Sequence, residues 1–441
     1  MKRSCPTLAL ALFTFVAGCS DPAKPAAKTS PAAAPVSAVD PDSSLTADEK
    51  LALQKLPGTT SADKAVSDAQ TVVRAAMTRE DPWITLGRAW VRKARESADP
   101  GFYLNADACA AVVLAKSSDN AAALDLRGLV MMNGHQFEKA RAIAERVTEK
   151  HPEDPMAWGT LSDALLEMGR YEDASIAVQK MVDLKPNLPS YSRASYLQWM
   201  RGDVGSAKQT VRAALDSGRD FKRDPEPGAW VLVQAAMMFW NEGDYEGADA
   251  GFDKALERIS DYAPANVGKG RVAMARGDHR RAAELFERAY KVSPLVETAW
   301  LLGDAREAAG DAKGAAEAFA FVEKDGKKTD PRTLSLFWST KGTHTDEAVA
   351  LAREELAVRK DVYTEDALAW ALYRAGKVDE AKTHIAAARR LGTPDARLVY
   401  HEGAIRIAAG EKSKGKQLVE KALASNRAFD ATSAREAREL L

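Results

Sequence analysis

Two stretches of this sequence have the glycine and lysine spacing of phosphate-binding loops, so nucleotide chemistry is the first possibility to weigh. "GEKSKGKQ" (410–417) fits such a loop up to Gln417, which stands where a serine or threonine hydroxyl must ligate magnesium, and no strand pattern precedes it. "GKGRVA" (268–273) has the dinucleotide-binding glycines but falls inside a helical pattern, where its backbone amides are already bonded. Other chemistry is equally sparse. The six histidines are scattered, none three or four residues from another, so no helical metal pair forms. There is no HExxH, GxSxG or paired CxxC, and the carboxylates follow helical surfaces without marking an acid–base pair. Cys109 sits in the apolar-spaced stretch "ADACAAVVLA", which suits a buried thiol rather than a nucleophile, since no base is matched to it. These residues predict a chain that is not an enzyme and that holds neither cofactor nor metal.

The first nineteen residues carry a different kind of chemistry. Lys2 and Arg3 precede "LALALFTFVAG" (8–18), a run of eleven that is too short to cross a bilayer as a helix. It ends in Val16-Ala17-Gly18-Cys19, which resembles the lipobox of bacterial lipoproteins. That resemblance implies a signal peptide over 1–18, removal of Cys5 with it, and lipid attachment at Cys19. Acyl chains each contributing about 0.8 kcal/mol per buried CH₂ would then anchor the chain to a membrane without spanning it. Ser20 follows the cysteine where an aspartate would favour inner-membrane retention, which implies the outer membrane facing the periplasm. Asp21 leaves the inner membrane open. Cys109 would be the last thiol remaining, so no internal disulfide can form.

Between Ser20 and Ser44 there are five prolines and seven alanines, with Val36 and Val39 the only larger apolar side chains. Such a segment cannot bury a core and reads as a disordered linker over 19–44. Helical patterning resumes near Leu45. Net charge is −1, from 62 basic against 63 acidic residues, so no whole-chain field draws nucleic acid to it.

From there the sequence keeps a beat. Gly169, Gly202, Gly243, Gly277, Gly310, Gly376 and Gly410 recur at 33 or 34 residues, apart from one gap of 41 and one of 66. Ala140, Ala174, Ala207, Ala248, Ala282, Ala315, Ala348, Ala381 and Gly415 each lie five residues after that glycine position, which His135 and Thr343 fill in two registers. Glycine supplies a left-handed turn between two amphipathic helices, and the small residue lets the second helix approach the first. Gly128, Ser162, Ser195, Ala236, Gly270, Gly303, Ala369 and Gly403 supply the matching clearance on the first helix.

This pattern resembles the tetratricopeptide repeat, here of a bacterial lipoprotein. The resemblance implies an all-α, right-handed α-solenoid of about ten helix pairs. Units fall at 80–120, 121–154, 155–187, 188–216, 229–262, 263–295, 296–328, 329–361, 362–395 and 396–429. A helical lead-in covers 45–79, a polar insertion 217–228, and a capping helix 430–441. Each unit is expected to touch mainly its neighbours, so that stability is a sum of local terms.

In repeats of this kind, places 2, 5, 9, 12 and 13 of the first helix face the concave groove. Here they include Tyr196, Trp199, Trp230, Met237, Trp240, Trp370 and Tyr373. The lysine and asparagine pairs that clamp a C-terminal carboxylate in some family members are absent from those places. The groove is therefore expected to take a protein partner, as a helix or an extended apolar segment. The bland alternative is that these residues only pack neighbouring units. Three functions fit: a non-catalytic, membrane-anchored scaffold in envelope assembly or secretion, an accessory lipoprotein for polysaccharide export, or a non-catalytic subunit of an envelope enzyme or transporter.

Overall fold

Glycine followed by aspartate sets four of the ten turns inside the repeats. In Gly202-Asp203, Gly243-Asp244, Gly277-Asp278 and Gly310-Asp311 the glycine has a φ between +74° and +87°, and the aspartate side chain accepts from a backbone N–H three residues on. One residue thus reverses the chain and the next caps the following helix, each such cap being worth about 1 kcal/mol.

The computed structural model describes residues 44–97, 99–218 and 224–441. The expected signal peptide, Cys19 and all but the end of the linker lie outside the described residues, as does 219–223 of the insertion. Among the described residues every regular element is a helix. The lead-in forms α1 (Ala47–Ala52) and α2 (Ser61–Ala75). Pairs then follow as α3 (Glu80–Ser97) with α4 (Phe102–Leu114), α5 (Ala121–Asn133) with α6 (Phe137–Lys150), α7 (Pro155–Glu167) with α8 (Tyr171–Leu184), and α9 (Leu188–Met200) with α10 (Val204–Ser217). Beyond the insertion come α11 (Glu226–Asn241) with α12 (Tyr245–Arg258), α13 (Ala263–Ala275) with α14 (His279–Val292), and α15 (Val296–Ala308) with α16 (Ala312–Thr329). The last pairs are α17 (Pro331–Lys341) with α18 (Thr345–Val358), α19 (Val362–Arg374) with α20 (Val378–Arg389), and α21 (Ala396–Ala408) with α22 (Lys412–Ser425), followed by α23 (Ala431–Glu439). The chain is an α-solenoid of paired helices.

Within each pair the small residues do what their spacing implies. Ala140, Ala174, Ala207, Ala248, Ala282, Ala348 and Ala381 are fully buried. A Cβ added at Gly303 would sit 2.2 Å from the Phe319 ring, and one at Gly270 would sit 2.5 Å from Phe286. Two of the serines also bond: Ser162 Oγ donates to the Ala174 carbonyl at 2.9 Å and Ser195 Oγ to that of Ala207 at 2.7 Å.

The two registers without glycine solve the turn differently. His135 itself adopts the left-handed conformation, at φ +54°. In the 329–361 unit Thr343 does not take that role. The first helix, α17, is shorter, and Gly342 (φ +71°) and His344 (φ +47°) make the reversal on either side of Thr343. The shift moves the bonding serine too, so that Ser335 donates to the Ala348 carbonyl at 2.8 Å.

First helices also touch the first helices of adjacent units, as α5 with α7, α11 with α13, α17 with α19, and α19 with α21. They form the inner, concave layer. The curvature is tight enough that the solenoid meets itself. Lys360 N–H donates to the Glu167 carbonyl at 2.8 Å and Val362 N–H to the Tyr171 hydroxyl at 2.8 Å. Thr393 Oγ1 donates to the Met200 carbonyl at 2.8 Å and Asn426 Nδ2 to that of Trp240 at 2.7 Å. These side-chain partners lie 186 to 193 residues apart, between five and six units. Stability is therefore not a sum of nearest-neighbour terms over this part of the chain, because successive turns of the coil are bonded along a seam. The turn glycines make the approach possible: a Cβ would lie 2.5 Å from the Lys360 carbonyl oxygen at Gly169 and 2.7 Å from that of Ser425 at Gly243.

Candidate functional site: the concave side of the coil

The concave side is built from first helices whose inward residues are aromatic, sulfur-bearing or charged. Between two turns of the coil these enclose a cavity of about 280 Å³. Tyr196, Trp199, Met237 and Trp240 line it from α9 and α11, Arg271 and Glu297 from α13 and α15, and Tyr363, Asp395 and Arg397 from the following turn. Trp199 and Trp240 are almost fully buried, so they brace the wall as well as facing the space. Tyr196 stacks on Trp199 with centroids 6.2 Å apart. Burial, reinforced by Asp361 and Glu167, raises the Tyr196 hydroxyl above its ordinary range and keeps it a neutral donor.

The remaining expected groove residues lie elsewhere. Trp230 is 42% exposed and lines neither this cavity nor the larger one described next. Trp370 is fully buried, with the His401 ring stacked on it at 3.9 Å and 9°. Tyr373, half-buried, packs against Trp370 at 5.0 Å. Both belong to the apolar cluster that Tyr400, Phe429, Ala434 and Ala437 complete.

A second cavity, of about 890 Å³, lies further along, between the C-terminal segment and α13, α15 and α17. Asp304 forms part of its wall and bonds Lys341 Nζ at 2.8 Å. Burial pushes this carboxyl up to about 7 in spite of the lysine, with Asp430 and Glu307 adding to the rise.

The strings that imitate nucleotide loops have structural roles. In α13 a Cβ at Gly268 would sit 2.2 Å from Phe252, so this glycine admits a neighbouring ring. Gly410 forms the left-handed turn before α22, and Gly415 faces the Gly403 carbonyl. Cys109 is buried and unpaired, and burial raises its thiol. One acid–histidine pair was not apparent from sequence: His401 Nδ1 lies 2.8 Å from Asp366 Oδ1, both fully buried. His401 Nε2 has no hydrogen-bond partner, so no hydroxyl or thiol stands where a nucleophile would. The partners are 35 residues apart on adjacent first helices, a separation that carries no motif signal. Among the described residues no group of three or more His, Cys, Asp or Glu could hold a metal ion, and no helix is long and apolar enough to cross a membrane.

Two segments, 131–198 and 267–325, match family models of the tetratricopeptide repeat. The chain is 35% identical over 92 residues to the TPR repeat-containing protein PA0015 of Pseudomonas aeruginosa, covering 88% of it and 20% of itself. The chain belongs to the tetratricopeptide repeat family. It is also 28% identical over 145 residues to cellulose synthase operon protein C of Pseudomonas fluorescens, which amounts to 31% of this chain but only 11% of that protein. Among solved structures it is similar to the human IFIT1 dimer with PPP-AAAA, at 14% identity and a TM-score of 0.48, over 85% of this chain and 93% of that one.

Proposed function

We propose that this tetratricopeptide repeat protein is a non-catalytic scaffold tethered to a bacterial membrane through lipid on Cys19, outer rather than inner, and that it serves envelope assembly or secretion. Its partner is a helix or extended apolar segment taken up on the concave side. The observation that carries this reading is the convergence of Tyr196, Trp199, Met237 and Trp240 on one cavity. Aromatic anchors beside an adaptable methionine are the side chains that recognise apolar segments most efficiently per residue. The half-buried Met237 allows a clean test. Met237→Lys should lower capture of envelope proteins at least tenfold while the circular-dichroism melt moves by no more than a few degrees. Unchanged capture would remove the cavity from the binding site.

The tether rests on the charged start, the short apolar run and the lipobox-like residues 16–19. A palmitate analogue should label the wild-type chain and not Cys19→Ser, and equal labelling would sink it. A second reading, an accessory role in polysaccharide export, is favoured by the similarity to cellulose synthase operon protein C. Tryptophan fluorescence discriminates, because a β-glucan oligosaccharide stacking in the cavity should quench Trp199 and Trp240, whereas a purely protein-binding surface leaves the emission unchanged.

A further inference from the structure

The larger cavity, of about 890 Å³, has six lysine and arginine side chains in its wall against four carboxylates. The carboxylates are all committed. Asp304 and Glu307 accept from Lys341 Nζ at 2.8 and 3.2 Å, Glu436 accepts from Arg374 Nη1 at 3.1 Å, and Asp430 caps α23 by accepting from the Ser433 N–H at 2.7 Å. Lys341 and Arg374 are thereby paired, and Arg271 is held by Glu297 at 2.7 Å. Three guanidinium groups are left over. Arg427, Arg435 and Arg438 are all exposed on the C-terminal segment. Arg427 lies over the Tyr245 ring at 5.8 Å and Arg438 Nη1 donates to the Arg427 carbonyl at 3.1 Å, yet among the described residues none of the three pairs with a carboxylate.

The fold gathers these charges against their repulsion. Arg435 and Arg438 stand one turn apart on α23, where like charges oppose each other, and the bond from Arg438 brings its guanidinium to the backbone of Arg427. Unpaired arginines concentrated on one side of a cavity suit an anion, and the planar guanidinium matches a carboxylate in bidentate fashion. The rest of the wall narrows the kind of anion. Trp240, Phe286 and Phe429 are buried, so none offers an open face on which a nucleic-acid base could stack. Met274, Leu301, Ala308 and Ala434 supply small and aliphatic surface instead. Carboxylates carried on a polypeptide, with short apolar side chains between them, meet both demands. The two cavities also adjoin, because Trp240, Arg271 and Phe429 belong to both walls.

We propose that the larger cavity docks an acidic segment of the partner protein, continuous with the apolar stretch taken up in the smaller cavity, and that Arg427, Arg435 and Arg438 receive its carboxylates. This deepens the reading of the concave side as a protein-binding surface and rests on it. The spacing fits an extended segment: side chains one turn apart on a helix have Cβ atoms about 5–6 Å apart, and side chains at i and i+2 of an extended chain are about 7 Å apart on one face. Binding removes the repulsion along α23 and leaves the pairs of Lys341 and Arg374 intact.

Fluorescence anisotropy tests this on the full chain, with one labelled synthetic peptide of alternating glutamate and alanine and another of alternating glutamine and alanine. The glutamate peptide should bind wild type at least tenfold tighter than the glutamine peptide. Arg435→Gln together with Arg438→Gln should weaken it at least tenfold. Lys180→Gln together with Lys185→Gln removes the same charge from exposed positions at α8 and should change it less than twofold. If hydrogen exchange shows the arginine double variant loosening α23, Arg435→Gln alone, whose guanidinium makes no hydrogen bond among the described residues, must still weaken binding at least threefold. Equal affinity for the two peptides, or an equal loss from both double variants, overturns the proposal. So does a single-stranded oligoadenylate that binds wild type tighter than the glutamate peptide does. Failure of the wider reading is separable, because unchanged capture by Met237→Lys would leave the arginine-dependent binding of the peptide standing.

Discussion

The interior of the stack and the seam between turns hold this protein together in different proportions of apolar and polar contact. Inside the stack, consecutive helices bury phenyl and indole rings against glycine and alanine. Phe252 and Phe286 are fully buried, as is Trp90, whose indole N–H donates to the Ala52 carbonyl at 2.9 Å. At the seam Val362 and Leu398 join the apolar cluster of Tyr171, Trp199 and Met200, and ion pairs and backbone hydrogen bonds add to it. Arg359 pairs with Glu167 and, at 3.0 Å, with Asp361, while Arg332 also holds Asp361 at 3.0 Å. Arg390 donates to the Gly169 carbonyl at 2.7 Å across 221 residues of chain. Apolar burial is non-directional and strong, whereas the polar part of the seam depends on geometry and on satisfying every partner. The contrast teaches that the repeat pattern builds the stack, and that the seam, added to it, decides how tightly the coil closes over its concave side.

The largest effect should come from the stack. Phe252→Ala removes a ring wedged beside Gly268 and should cost about 3–5 kcal/mol in a urea titration. A loss under about 1 kcal/mol would mean that the stack is not the main source of stability. At the seam, Arg359→Ala leaves Glu167 and Asp361 without their shared guanidinium. A buried pair broken on one side costs about 3–5 kcal/mol, and because Arg359 and Glu167 are each 18% exposed the expectation here is about 2–3 kcal/mol. Gly303→Val tests the same difference from the other direction, by overpacking one crossing against Phe319 at about 1–3 kcal/mol. Hydrogen exchange should then rise over 296–361, while a uniform rise along the whole chain would erase the distinction between stack and seam.

Strong acid should weaken the seam through Asp361. Burial raises the Asp361 carboxyl, but Arg332 and Arg359 outweigh it and hold the group below the usual carboxylate range. Its ionised form therefore stabilises the fold above the unfolded value, near pH 4, and that contribution is lost as pH falls through the lower folded value. Wild type should lose on the order of 1 kcal/mol more than Asp361→Asn between pH 6 and pH 2, and parallel pH profiles would contradict this.

The paired helices were legible in the sequence because both signals are periodic. A glycine that must turn left-handed and an alanine five residues later recur in unit after unit, and both stand where the spacing places them. α17 has 11 residues against 13 in α15 and α19, and its turn glycine comes one residue early, which hid Gly342 and Ser335 from the same count. The seam was not legible at all. Its members are ordinary surface residue types: Thr393 and Asn426 meet backbone carbonyls 193 and 186 residues away, and Arg359 meets the Glu167 carboxylate 192 residues away. Nothing local marks them, since their approach depends on curvature summed over five units. The candidate site was legible in part for the same reason. Tyr196, Trp199, Met237 and Trp240 converge because they share one stretch of the inner layer. Trp370 and Tyr373 share that register too, yet the apolar cluster completed by α23 encloses them, and Trp230 stays near the surface.

Tyr171→Phe probes the seam most directly, because it deletes a single hydroxyl that accepts a hydrogen bond from the Val362 amide, 191 residues along the chain. Hydrogen exchange resolved to single residues should show the Val362 amide exchanging about fivefold faster, in keeping with the loss of about 1 kcal/mol from one buried hydrogen bond. Lys360 should follow it, with protection in α2, α3 and α4 unchanged. If protection at Val362 is untouched and any loosening stays within 155–217, the turns are not coupled, and the protein is the one-dimensional array that its repeats alone would make.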